Sequence, residues 1–398
     1  MSNSLLALIV KQTFRLTPVL LLLMNLSGCA VKDNPVKTFR DNTIPLREIT
    51  IPTHDLSTDT SRHVVIAQGT PETRQGHPNT ILMPDGKTMF VIWTIGHGGP
   101  CGQLKKSTDG GLTWSEMLDV PDNWKQYSNC PPLYLLSDSL GKTRLFTYVN
   151  RGPKGFKMYR SVSEDGGELW SPFEPVIICN STDTLIADVM PFTAIVPVDN
   201  GKRLLGVTNI RRPYEGGRTN ILAQSYSSDG GFTWSHWRII LDLGDPHIPC
   251  EPEIIRSPDG KQLLMLIREN NRNYNSWIML SNNEGKTWSE PYQTTASVTM
   301  DRHQACYAPD GRLVIVGRDV AEKSPSKNHF VAWVGTYRDL VDGNEGQYRI
   351  KLLHTYKTTE YPGLVILPDS TFVATNSVGY RPDENYSIVS TRFKLKDF

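Results

Sequence analysis

The sequence predicts an all-β, six-bladed propeller, and three observations predict it. One loop motif recurs four times, a tight turn between apolar runs recurs six times in step with it, and no helical period of useful length appears beyond the first 50 residues.

The N-terminus stands apart from that pattern. Lys11 and Arg15 precede an apolar run from Leu16 to Leu26, which is too short to cross about 30 Å of hydrocarbon as a helix. Residues 1–28 read as a signal peptide. The sequence Leu26-Ser27-Gly28-Cys29 resembles a bacterial lipoprotein cleavage box, which implies cleavage before Cys29 and lipidation of its thiol. Ala30 and Val31 carry no Asp to retain such a protein at the inner membrane, so the expected location is the cell envelope, at the outer membrane. Residues 29–50, rich in Pro, Asn and charge, read as a tether, leaving 51–398 for the ring.

Composition narrows the function classes. The 398 residues carry 42 Lys and Arg against 41 Asp and Glu, a net charge of +1 with 38% hydrophobic residues, which argues against wholesale disorder. A near-zero balance supplies no field for gripping a phosphate backbone, so nucleic acid is not an expected partner. Beyond Cys29 five cysteines remain, an odd number that leaves at least one thiol unpaired within the chain. No Cys/His spacing of a zinc site occurs, and the expectation is a monomer with neither metal nor cofactor.

The blades follow from the two repeats. Segments 107–114, 163–170, 227–234 and 281–288 share Ser-x-Asp/Asn-x-Gly-x-x-Trp, with their Trp residues 56, 64 and 54 apart. The Asp side chain suits loop amides, Gly suits positive φ, and Trp suits burial between sheets. Turns at Asp85-Gly86, Leu140-Gly141, Asn200-Gly201, Asp259-Gly260, Asp310-Gly311 and Asp369-Ser370 lie 55, 60, 59, 51 and 59 residues apart. Each separates two β-branched or apolar runs, a hairpin signal, and each interval accommodates a four-stranded blade. Residues 62–66 and 387–391 are the candidate strands for closing the ring.

Functional groups are expected where inner strands begin and second strands return to the same face. Strand beginnings give His77, Asn129, Asp188, Glu251, Asp301-Arg302-His303 and Tyr361; strand ends give His97, Arg151, Arg211-Arg212, Arg268 and Arg318. This concentration of Arg, His, Glu and Tyr predicts a pocket of cations and titratable groups. Arginines bind carboxylates through two parallel N–H donors, so Arg268 with Arg211, Arg302 or Arg318 suggests an acidic glycan as partner. His303, Asn129 and Arg151 complete the expected substrate-binding set. Tyr361 beside Glu251 suggests a phenol activated as nucleophile, with His77 or His97 as general acid.

Across residues 60–395 the chain resembles the sialidase superfamily, whose Asp box has the form of the four loops above. In that family the box is structural and lies away from the active face. The resemblance implies that Tyr361 is the nucleophile, Glu251 its partner, and Arg268 one arginine of a carboxylate-binding triad, with Arg318 or Arg302 as another. Two positions depart from the pattern. The family's Arg-Ile-Pro is replaced by Gln75-Gly76-His77-Pro78-Asn79, so the first arginine is missing unless Arg74 reaches in, and the acid/base Asp is absent from the loop Ile95–Cys101. Relatives using His and Tyr include polysaccharide lyases and certain rhamnosidases. The expected activity is therefore a sialidase-like glycoside hydrolase acting on an anionic glycan; the alternatives are a uronate lyase using His and Tyr, and a carbohydrate-binding propeller without catalysis.

Overall fold

Each of the six turns closes a hairpin. The computed structural model describes residues 48–179, 188–214 and 217–398. The predicted signal peptide, Cys29 and all but the last three residues of the tether lie outside them. The turn glycines at 86, 141, 201, 260 and 311 have φ between 72° and 87°, and Ser370, where the sixth turn lacks glycine, is held at 66°. These left-handed values are the ones demanded by three- and four-residue hairpin loops, in which a tight turn is followed by a residue in the left-handed region.

The hairpins build a six-bladed β-propeller. Innermost strands run over Gln75–Leu82, Leu133–Ser137, Ala194–Val198, Pro249–Arg256, Met300–Tyr307 and Thr359–Ile366, each followed antiparallel by a second and a third strand. Blade 1 has three strands rather than the expected four. In place of the fourth, Ser115 and Leu118 donate single backbone bonds to Lys106 and Leu104. Both candidate closing segments are used, against each other: His63–Ala67 pairs antiparallel with Ser387–Phe393 and becomes the outer strand of blade 6. Two features were not expected. Thr53–Asp55 adds a parallel fifth strand to blade 5, and a short helix, Tyr337–Asp342, is held by a capping box of Thr336 and Asp339 and stopped by Gly343. The core lies between blades, as where Tyr148 of the second blade meets Phe192 of the third with ring centres 5.3 Å apart.

The four loop motifs fold alike. Asp229 Oδ1 accepts from the Phe232 and Thr233 amides and the Ser227 hydroxyl, while Gly231 N–H donates to Ser227 Oγ. Asn283 repeats the Thr contact in the fourth copy. Gly110 N–H reaches the Lys87 carbonyl, which places the boxes beside the hairpin turns, at the end of the blades opposite the strand beginnings.

At those beginnings the strands are bulged. Register slips between Gly76 and Asn79, Cys250 and Glu253, Asp301 and Gln304, and Thr359 and Pro362. The residues at the bulges, His77, Glu251 and Arg302, have φ of 48°, 48° and 52°, and Cys130 heads blade 2 at 48°. A bulge adds a residue and re-aims its side chain. Here it changes which residue faces inward at the heads of four of the six inner strands.

Burial raises the Asp109 carboxyl pKa, but bonds from Thr113, Ser107 and Leu112 outweigh it and hold the group at about 2. Asp165 and Asp229 are lowered as well. Their folded pKa values lie below the unfolded value of about 3.9, so their contribution is complete above that pH and is lost on acidification toward about pH 2. Changing all three to Asn, on the pattern of Asn283, is expected to flatten the fall in thermal midpoint between about pH 4 and pH 2 relative to the parent. An equally steep fall in thermal scans would contradict this.

Candidate active site

Two of the bulged strand heads, at Glu251 and at Glu360-Tyr361, open on a cavity of about 330 Å³, at the lower end of the range for small-molecule sites, while His77, Cys130 and Arg302 gather behind Tyr361. The cavity walls include Tyr361, Glu251, Arg268, Arg211, Arg318 and His97. Tyr361 donates its hydroxyl proton to Glu251 Oε1 in a short hydrogen bond, and Arg268 Nη1 donates to the other oxygen, Oε2. Glu251 is 4% exposed, and its amide is fixed by Asn209 Oδ1 at 3.2 Å.

Electrostatics separates the roles of this pair. Burial pushes the Glu251 carboxyl upward, but Arg268, Arg302 and the Tyr361 hydroxyl outweigh it and keep the group below the ordinary glutamate value. Burial, with Cys130 and Glu251 adding to it, raises Tyr361 well above an ordinary phenol despite Arg268 and Arg302. At neutral pH the site therefore holds a protonated phenol against an ionised carboxylate that can receive its proton.

A second carboxylate, Glu360, organises the two histidines. Its Oε1 lies 2.8 Å from His97 Nδ1 and also accepts from Arg74, while Oε2 accepts from the His77 amide at 3.3 Å and Ser377 Oγ at 3.1 Å. Arg74 thus reaches in, but to Glu360. The His77 ring stacks on Tyr361, with centres 4.4 Å apart and planes at 14°, and its Nε2 is 3.0 Å from His97 Nδ1. Burial pushes the His77 pKa down to about 4, so it is neutral at pH 7. Glu360 is held at about 2: burial raises it, and His97, His77 and Arg74 outweigh that. The loop carrying His97 reaches this carboxylate because residue 76 is glycine, where any side chain would collide with the Gly96 carbonyl. His97 itself is 65% exposed and lines the cavity.

His77, His97 and Glu360 present three ligand-type atoms within 4.8 Å of one another, a set that could hold a metal ion. Arg74 already donates to the carboxylate oxygen at the junction, so a divalent ion there would sit against a guanidinium. The cluster is better suited to holding and orienting a proton.

The remaining predicted residues divide. Arg211 lines the cavity and lies 3.6 Å from Asp188. Arg302 is buried beneath the site, its guanidinium 5.3 Å from the Tyr361 ring centre. His303 turns the opposite way, as adjacent strand residues do, and is fully buried against the Val298 carbonyl and Ser276. It is no part of the cavity, and neither are Asn129 and Arg151. Asn129 is buried and bonded to Asn150 and Cys130 behind the site, and Arg151 is exposed outside the lining. Glu253, two residues from Glu251, would share its side in a regular strand, but the bulge breaks that parity and Glu253 accepts a bond from Gln304 instead, its pKa raised by burial to about 8.

The expected carboxylate clamp is not open. Arg268 and Arg318 both bind Asp301, a buried carboxylate of the same chain.

A model described as a BNR repeat-like domain matches residues 131–372, more than half of the sequence. The chain belongs to the BNR repeat-like family. In this family member the matched stretch holds Glu251, Arg268 and Tyr361 and stops short of blade 1, where His77 and His97 depart from the sialidase pattern. A search of curated protein sequences finds no match. Among solved structures, a Dyadobacter fermentans protein of unknown function is similar at a TM-score of 0.62 and 17% identity, over 83% of this chain and 98% of that one. An α-L-arabinofuranosidase of Fusarium graminearum, solved with an iminosugar inhibitor, gives 0.61 and 14% over 84% and 98%. An intramolecular trans-sialidase of Ruminococcus gnavus, solved with oseltamivir carboxylate, gives 0.55 and 13% over 84% and 97%. At such identities the likeness establishes the propeller fold.

Glu360, Cys130 and Met190 at the site, and Arg272 on the buried Asp301, are not among the residues expected from the sequence. Two of them had a signal. His77, Cys130, Met190, Glu251 and Tyr361 each precede a proline at the openings of five of the six blades, a pattern that points to Cys130 and Met190 rather than to Asn129 and Asp188. Glu360 had none, because its neighbour Tyr361 already filled that blade's place.

With its pKa raised, Tyr361 should contribute no phenolate step near the ordinary tyrosine value of about 10. Ultraviolet titration of the parent minus Tyr361→Phe checks this; a difference step at or below that pH would contradict the assignment.

Proposed function

We propose that the protein is a retaining glycoside hydrolase that removes a terminal sugar from a glycan, with Tyr361 as nucleophile. One observation carries the reading: the Tyr361 hydroxyl donates to Glu251, itself anchored by Arg268, on the wall of an open cavity sized for a small sugar unit. A tyrosine nucleophile is an established departure from the usual pair of carboxylates. Glu251 takes the phenol proton as Oη attacks the anomeric carbon, and the glycosidic bond breaks. His97, fixed through Nδ1 by Glu360, protonates the departing oxygen through Nε2. In the second half His97 takes a proton from water, the water oxygen replaces Tyr361 on the sugar, and Glu251 returns the proton to the phenolate. Two displacements at one carbon retain configuration.

The lyase reading requires a guanidinium free to neutralise a uronate carboxylate, and the pairing of Arg268 and Arg318 with Asp301 gives it no support. Burial also leaves no exposed acid/base function for His77, whose stacking on Tyr361 suits positioning. The lipoprotein-type leader supports placing the activity at the bacterial envelope.

A panel of aryl glycosides of neutral and acidic sugars identifies the parent's substrate. On it, Tyr361→Phe is expected to lose about 10³-fold or more in kcat with an unchanged thermal midpoint, and Glu251→Gln about 10²- to 10⁴-fold. Activity of Tyr361→Phe within a few-fold of the parent would remove the covalent mechanism.

A further inference from the structure

We infer that Asp301 is an internal substitute for a substrate carboxylate: it fills the arginine clamp and makes the site select neutral sugars over acidic ones. The inference rests on the glycoside-binding role proposed above and concerns the substrate class of the same site.

Three guanidiniums converge on this one side chain. Arg268 Nε lies 2.7 Å from Asp301 Oδ1, and Arg272 Nη2 lies 2.7 Å from Oδ2. Arg318 binds Oδ2 through Nε at 2.9 Å and through Nη2. Recognition of a carboxylate by arginine depends on two parallel donors of one guanidinium facing the ligand. Arg318 gives that edge to Asp301 and sends Nη1 to the Thr359 carbonyl at 2.7 Å and Thr358 Oγ1 at 3.2 Å. Arg268 donates from Nη1 to Glu251 and from Nη2 to Asn270 Oδ1, 2.6 Å away, while its Nε makes a close ion-pair contact with Asp301 Oδ1 without a hydrogen bond. Neither arginine keeps a two-donor fork for a ligand.

Asp301 is built for this position. It is 2% exposed and immediately precedes the bulge residue Arg302, so the same slip that aims Arg302 inward fixes Asp301 on the adjacent arginines. Burial would raise its carboxyl, but Arg268, Arg318 and Arg272 outweigh that and keep it ionised. A ligand carboxylate would have to displace an anion already desolvated and ion-paired, and would face the charges of Asp301 and Glu251. A neutral sugar meets no such cost, and Asn209, Asn220 and Asn270 on the wall are suited to hydroxyl groups.

Matched ligands differing only in charge test this: glucuronate against glucose, galacturonate against galactose, and N-acetylneuraminate against its methyl ester. For the full chain, calorimetry and thermal shift should show no acid bound more tightly than its neutral partner, absence of binding by all three acids included. An acid favoured by about tenfold or more would overturn the inference. In Asp301→Ala the clamp is vacated: the thermal midpoint should fall and be raised again by acetate, and the acid-to-neutral affinity ratio should rise by about tenfold. A folded Asp301→Ala indifferent to acetate would overturn the inference too, and if that variant does not fold, the parent's ligand pairs decide. These are binding measurements, so loss of the hydrolase reading, seen as full turnover in Tyr361→Phe, is distinguishable from loss of this one.

Discussion

The site depends on a backbone constraint: residues with full side chains held in the left-handed region at the heads of successive inner strands. His77, Cys130 and Glu251 adopt φ of 48° immediately before a proline, and Arg302 adopts 52° before His303. Such conformations cost about 1–3 kcal/mol each and persist only where surrounding structure over-determines them. Here the flanking hairpins do so. Every inner strand is paired along its length below the bulge, so the strain has nowhere to relax. The return is directional, because at each bulge a side chain leaves the sheet's alternation and joins the site, where chain positions more than 100 residues apart meet. Tyr361 and Glu251, separated by 110 residues, share a proton there.

Bringing so many ionisable groups together out of water creates a second constraint, since an unpaired buried charge would cost several kcal/mol. The protein meets it by giving each buried carboxylate of the site at least one cation, with Arg268 shared between two of them. Glu251 has Arg268, Asp301 has Arg268, Arg272 and Arg318, and Glu360 has Arg74. The same pairing sets the chemistry. Carboxylates so held stay ionised, whereas Tyr361 and His77, buried without an equal compensation, stay neutral. Glu251 can then receive a proton that Tyr361 still has to give. The two departures from the sialidase pattern belong to this arrangement, for His77 takes the stacking position on Tyr361, and His97 lies on the carboxylate that Arg74 also holds.

The sequence by itself determined the propeller. Blade count, hairpin turns and box loops depend on local chemistry, namely glycine or asparagine at positive φ, aspartate on nearby amides, and alternating apolar residues, and local chemistry repeats visibly along a chain. The same periodicity picked out Tyr361, Glu251, His77, His97, Arg268, Arg211 and Arg318 as residues at one end of the blades. It was less reliable by a residue or two. Asn129 and Asp188 stand one and two residues from Cys130 and Met190, and of the expected pair Arg302 and His303 only Arg302 turns toward Tyr361, because backbone geometry at the strand heads, including the bulge at Asp301/Gln304, changes which of two neighbours faces inward.

What only the tertiary structure decided is who partners whom. Arg268 and Arg318 read in sequence as cations awaiting an anion; in the fold their donors are already taken by Asp301, one residue before a position singled out for another reason. Glu360 left no trace in any repeat, yet it holds both histidines. The physical reason is that hydrogen bonds and ion pairs across strands and between blades are fixed by distances of a few ångströms, and sequence separations of 17 residues within a blade or 286 across the ring carry no record of them.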